Sequence, residues 1–187
     1  MRKIIVFTDI HILPEGGRII GLDPAARFAQ GLSHAVAAHP DAARIVITGD
    51  LTHHGAPEEY RRLRDLLKGC PLPVSLMSGT HDRVATLLQG FPDTPVTDAG
   101  FVQDIIDLGD TRLILLDTLD EQAPDIHSGL LCAHRLDWTE RALAGANGRR
   151  VVVFTHHPPI PSGFDGMDAI GLTNRGDLIA RLAAHDN

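Results

Sequence analysis

Ile4-Ile5-Val6-Phe7-Thr8-Asp9-Ile10-His11 runs four apolar residues straight into a carboxylate and an imidazole two positions apart. Three later stretches repeat the pattern. Ile45-Val46-Ile47 leads into Thr48-Gly49-Asp50, Val74-Ser75-Leu76-Met77 into Ser78-Gly79-Thr80-His81-Asp82, and Val151-Val152-Val153-Phe154 into Thr155-His156-His157-Pro158. Short aliphatic and β-branched runs bounded by turn residues read as buried strands. Sites in open α/β sheets are built at the carboxyl ends of strands. Four such ends carrying Asp and His predict one pocket for hard or borderline metal ions.

Helical patterns separate these strands. Asp23-Pro24 reads as N-cap and N1 of a helix with Phe28, Leu32 and Val36 on one face, ending near His39-Pro40. Pro57 opens a second, with Tyr60, Leu63, Leu66 and Leu67 inward and Gly69 beyond its end. A third spans about 133–143, with Leu136, Glu140 and Leu143 at helical spacing, and a fourth starts near Asn174 and carries Leu178, Ile179 and Leu182. Phe101–Asp107 and Arg112–Leu116 read as a hairpin joined at Leu108-Gly109-Asp110. The alternation predicts a layered α/β domain over residues 1–187.

The length of 187 residues and the apolar fraction of 43% suit one globular domain. A net charge of −7 argues against a nucleic-acid partner, which needs a basic stripe. Bound cations can still reverse the local field for a phosphorylated substrate. Cys70 and Cys132 lack metal or redox spacing and read as buried small hydrophobes. No stretch approaches the ~20 apolar residues of a membrane span, and the short run after Met1 is no signal peptide. The default reading is a soluble cytoplasmic protein.

Asp9 and His11, two apart on a strand end, would share one side and reach one ion. Asp50 follows a glycine, where backbone can approach closely, and its carboxylate could bridge two ions. His156 is a candidate ligand of the second. Two such ions clamp a phosphate and supply hydroxide at neutral pH. His81 then faces substrate as proton donor or electrostatic stabiliser.

Asp9-x-His11, Gly49-Asp50, Gly79-x-His81-Asp82 and His156-x-Pro158 together resemble the calcineurin-like metallophosphoesterases, in nearly the whole chain. The stretch Arg135–Leu143 resembles a helix that the family carries before its fourth motif. Pro57-Glu58-Glu59-Tyr60, His156-His157-Pro158-Pro159 and Met167-Asp168 are similar to the bacterial glycerophosphodiesterase and cyclic-nucleotide phosphodiesterase branch. The resemblance implies a metallophosphoesterase-like β-sandwich flanked by helices, acting as a hydrolase of small phosphodiesters. It implies two divalent or trivalent ions of the iron, manganese, zinc or cobalt class. Asp9, His11 and Asp50 would hold the first, Asp50, Thr80 and His156 the second, with His81 catalytic.

Two departures bear on this. Thr80 stands where the family has Asn, and a hydroxyl is a shorter, weaker donor than an amide oxygen. No GHxH motif follows His156, so the expectation is the N-terminal portion of a longer domain, with a natural short form, including one completed by another subunit, as the alternative. An unpaired strand edge would then favour homo-oligomers. The competing functions are a catalytically weakened scaffold that binds a partner, and a hydrolase using only the Asp9/His11/Asp50 ion.

Among the remaining polar residues, Asp82 reads as orienting its turn, His157 as packing, and Asp117 as a turn cap. His53 and His54 read as exposed loop residues beside the pocket. Arg18, in the loop after the first motif, is a candidate substrate contact or simply an exposed residue.

Overall fold

The computed structural model describes residues 2–122 and 127–185. It contains two compact units, Met1–Thr94 and Pro95–Asn187. The first runs β1 (Ile4–Phe7), α1 (Pro24–Ala38), β2 (Arg44–Ile47), α2 (Pro57–Leu67), β3 (Val74–Leu76) and α3 (Val84–Gly90). Its strands form a parallel sheet in the order β1-β2-β3, with Ile5 opposite Ile45 and Ile45 opposite Val74. Parallel pairing puts all three carboxyl ends on one edge, so the loops that follow them are neighbours.

Local chemistry sets the helix ends. The Asp23 carboxylate accepts from Ala25 N at 2.9 Å and Ala26 N at 3.3 Å, and Pro24 occupies the first turn of α1. α1 stops at His39, before Pro40, which disfavours helical backbone in the residue preceding it. Its Phe28 ring meets Phe7 of β1 edge to face, 5.3 Å between centroids at 81°. At α2 the cap residue is Ala56, whose side chain can accept nothing. The buried Glu59 carboxylate instead reaches back to Ala56 N at 3.1 Å. Glu59 also takes His54 N at 2.9 Å and His54 Nδ1 at 2.8 Å, which pins the loop after β2.

In the second unit, β4 (Asp104–Leu108) and β5 (Thr111–Leu116) form an antiparallel hairpin. Gly109 takes φ +68° at the first loop position, which a side chain would resist. α4 (Ala133–Ala144) carries the chain across to β6 (Arg150–Thr155), which lies parallel to β5. Leu113, Ile114, Leu115 and Leu116 are all buried, as a strand covered on both faces requires. α5 (Asp165–Ala169) and α6 (Arg175–Ala183) follow, and Leu178 of α6 packs into the core with Leu116, Leu131, Leu136 and Leu172.

The expected helices and strands are present, with several corrections. α3 and α5 were not expected; at seven and five residues they are too short for periodicity to mark them as helices. Glu140 lies on the exposed face of α4, bonded to His185 Nε2 at 3.0 Å, and Thr139 takes its place inward. Arg135 is buried instead, its guanidinium donating to Asp117 O and Leu119 O and lying 4.5 Å over the Phe101 ring. Ile179 is exposed, and Cys70 and Cys132 are half-buried free thiols. The expected chain ending at Asp186 and Asn187 lies outside the described residues. Among those described, no helix is long and apolar enough to cross a membrane.

Candidate metal centre

Beyond β1 and β2 the two chains stay paired, but not as extended strands. Asp9 N donates to Gly49 O at 3.2 Å, His11 N to Asp50 O at 2.9 Å and Ile12 N to Leu51 O at 3.0 Å. Asp9, His11 and Asp50 all adopt left-handed backbone, with φ of +52°, +42° and +48°. Asp and His tolerate this region better than most residues, yet three in one pocket is uncommon. Asp9 and His11 therefore converge through left-handed turns, and the expected alternation along an extended strand is not the cause.

The result is a compact donor set. Ligand atoms of Asp9, His11 and Asp50 all lie within 4.8 Å of one another. His11 Nε2 stands 3.5 Å from Asp50 Oδ2. Asp50 is buried and Asp9 exposed, so the set opens outward. The Thr8 hydroxyl donates to the Asp9 carboxylate. Two carboxylates and an imidazole suit a divalent ion of the manganese, iron or zinc class, so the chemistry of the donors fits the metal that the resemblance implies.

The other oxygen of Asp50 is engaged differently. Oδ1 accepts His81 N at 3.0 Å and the Thr80 hydroxyl at 3.3 Å. Thr80 is buried and gives its proton to Asp50. His81 Nδ1 donates to the carbonyl of His53 at 2.8 Å, and a carbonyl can only accept. That bond fixes the tautomer and leaves Nε2 as the atom for proton transfer.

His53 was not expected here. It is half-buried, stacked on His81 with 5.1 Å between centroids at 16°, and edge to face with His11 at 5.3 Å. Its Nδ1 lies 3.4 Å from His11 Nδ1. Burial, then the nearby imidazoles of His54, His11 and His81, hold His53 below the ordinary histidine range. With its Nδ1 facing His53, His11 keeps Nε2 toward Asp50. The signal was its place three residues after Asp50, in one of the three loops at the sheet edge. His54 is exposed, as expected, and held by Glu59.

Asp82 does what its position suggested. Fully buried, it accepts from Leu51 N, Thr52 N, Thr52 Oγ1, Gly79 N and the Tyr60 hydroxyl, all within 3.2 Å. It thereby ties the loops after β2 and β3 to α2. Burial pushes its carboxyl up to about 6, against the donors that favour the anion. Arg18 is exposed, and its Nη1 donates to Gly21 O at 2.9 Å, bracing the turn that follows the first motif.

In the second unit His156 follows β6, half-buried, its ring edge to face with His157 at 5.0 Å. His157 is buried, with Nδ1 2.7 Å from the Thr118 hydroxyl. Its ring packs so closely on Gly129 that a Cβ there would lie 2.4 Å away, which bears out its packing role. Asp117 caps its turn, accepting Val102 N at 3.1 Å and Leu119 N at 2.9 Å.

A parallel sheet with metal-type donors at the carboxyl ends of its strands suits a metal-dependent enzyme. The chain belongs to the calcineurin-like phosphoesterase family, whose model matches residues 2–186. Membership makes it a metallophosphoesterase-type hydrolase, and the family implies divalent metal ions. It is 40% identical to a probable cyclic nucleotide phosphodiesterase of Rhodopseudomonas palustris, covering 98% of this chain and 68% of that one. It is 30% identical to the 3′,5′-cyclic adenosine monophosphate phosphodiesterase CpdA of Pseudomonas aeruginosa, covering 97% and 64%. A glycerophosphodiester phosphodiesterase, GpdQ of Enterobacter lignolyticus, is 31% identical over 92% of this chain and 63% of its own. The chain thus spans about two thirds of the length of these relatives. A dimetal phosphatase from Danio rerio shares the fold, with TM-score 0.75 at 14% identity over 98% of this chain and 78% of that one.

Proposed function

We propose that the protein hydrolyses a small phosphodiester, with Asp9, His11 and Asp50 as ion ligands and His81 as general acid. The observation that carries this is the convergence of the three ligands beside an imidazole whose Nδ1 is already committed to a carbonyl. An ion held there would polarise the phosphoryl oxygens and favour ionisation of the attacking water, whose proton would pass to solvent. The water oxygen forms a bond to phosphorus as one ester P–O bond breaks. His81 gives its Nε2 proton to the leaving oxygen, so the products are a phosphomonoester and an alcohol. His53 O holds the His81 ring in place through that transfer, and Asp82 holds the loop that presents it. The resemblance assigns Asp50, Thr80 and His156 to a second ion, and its place in the loop after the first motif makes Arg18 a candidate substrate contact. The reading adopts both, along with a cytoplasmic location.

A second reading, one ion on Asp9, His11 and Asp50 alone, is favoured by Thr80, whose hydroxyl points its proton at Asp50. Metal analysis with a bis(p-nitrophenyl) phosphate assay separates the two. Two ions per chain, falling to one in His156→Ala, is the expected result. One ion in both, with turnover retained, supports the second reading. Turnover unaffected by chelation or by Asp9→Ala refutes both.

A further inference from the structure

Next to the ligands, in the first unit, lies a cleft that the hydrolytic chemistry does not use. Its volume is about 360 Å³, within the range of small-molecule sites. Phe7, Ile19, Ile20, Leu22 and Phe28 line it, and Asp9 and His11 stand in the same wall. A diester whose phosphate reaches the ion on Asp9 and His11 has one ester arm within reach of this apolar surface.

The loop on its rim is built at a conformational cost. Ile19 and Leu22 exchange both backbone hydrogen bonds at 2.9 Å, closing a two-residue turn. Its central residues, Ile20 and Gly21, have φ of +51° and +76°, the type I′ pattern that favours Asn-Gly. A β-branched residue there is a steric outlier. Ile20 is also 95% exposed, so no burial within the unit offsets the strain. Folding alone gives no reason for isoleucine at this place, and contact with an apolar ligand does. The edge-to-face Phe7–Phe28 pair adds an aromatic surface suited to a flat group.

We infer that this cleft is the specificity pocket of the diesterase, taking a planar aromatic ester arm such as a nucleoside, with Ile20 as its rim contact. The inference rests on the proposed phosphodiester chemistry at Asp9, His11 and Asp50. It assigns to this loop the choice between aromatic and polar arms such as glycerol.

Product binding tests it. With manganese present, calorimetric titration of the full chain compares adenosine 5′-monophosphate, glycerol 3-phosphate and inorganic phosphate. The nucleotide should bind at least about 10-fold tighter than glycerol 3-phosphate, the range that one apolar contact surface supplies. Ile20→Asn should cut that preference roughly fivefold, by the same measure of apolar contact, and leave inorganic phosphate unchanged. Asparagine suits a type I′ turn, so the melting temperature of Ile20→Asn should hold or rise, which separates lost contact from lost fold. Leu22→Ser should act in the same direction. Equal affinities for the two monoesters, no measurable nucleotide binding, or a preference unchanged in both variants overturns the inference. A dimer that dissociates in Ile20→Asn assigns the cleft to a second copy and also overturns it. Failure of metal-dependent turnover or of inorganic phosphate binding would instead defeat the catalytic reading, and nucleotide preference is scored apart from it.

Discussion

His53 adds to the site beside the Asp9, His11 and Asp50 donors, in a second group with His11 and His81 whose donor atoms lie within 4.8 Å of one another. Its ring nitrogen steadies His11 while its carbonyl steadies His81, so one residue orients two functional imidazoles. Only the first of these depends on the side chain. His53→Ala should therefore weaken manganese binding about 10-fold, the lower range for loss of a partner behind a ligand, and leave the His81 tautomer intact. Calorimetric metal titration checks this, and His53→Asn, which keeps a polar partner for His11 Nδ1, should recover most of the affinity. Unchanged manganese affinity in His53→Ala would show that His11 is held by other contacts.

At the scale of elements, the loops carry the chemistry and the helices hold the loops. Tyr60 of α2 gives its hydroxyl proton to Asp82 and accepts Arg83 N at 3.0 Å, so α2 steadies the loop that presents His81. In the second unit the β4–β5 hairpin is cross-linked at its solvent side. Arg112 Nε and Nη2 grip both oxygens of Asp107 at 2.7 and 2.8 Å, and Nη1 reaches Ala142 O of α4 at 2.8 Å. The hydrogen bonds from Arg112 hold the Asp107 carboxyl below its ordinary value of 3.8. A carboxyl lowered on folding stabilises above its unfolded pKa, and loses that contribution as pH falls through the folded one. Asp107→Asn should therefore lower the melting temperature slightly at pH 7. The gap to the unsubstituted chain should close below about pH 4. Melting curves from pH 7 to 2.5 check this, and a gap that widens in acid would contradict it. The pair is partly exposed, so the effect is small.

For the whole molecule, the left-handed residues at the ligand positions imply that metal and fold support each other. Asp9, His11 and Asp50 adopt backbone that the unfolded chain rarely visits, so an ion on them binds the native state alone. Manganese at 100 times its dissociation constant should add about 2.7 kcal/mol. For a chain of this size that is roughly 5–11 °C in melting temperature. The rise should vanish with chelator and in Asp9→Ala. A rise that survives Asp9→Ala would place the stabilising ion elsewhere.

Much of this was legible in the order of residues. The strand runs, the helix starts at Asp23 and Pro57, the hairpin at Gly109 and the candidate ligands Asp9, His11 and Asp50 all follow from local rules: period, turn chemistry and the residue types that metals accept. Asp82 and His157 were legible in role as well, because each sits beside a residue committed to other work. Tertiary structure decided what depends on neighbours distant in sequence. Parallel pairing of β1, β2 and β3 brought His53 against His11 and His81. A buried Arg135 found carbonyls and an aromatic ring that no helical periodicity could announce. Left-handed backbone, and not strand alternation, aimed Asp9 and His11 together. Ile20 became informative only once its turn and its exposure were known. Residue type and spacing report what a side chain can do; which groups it meets is set by pairing between distant segments, and that is a property of the fold.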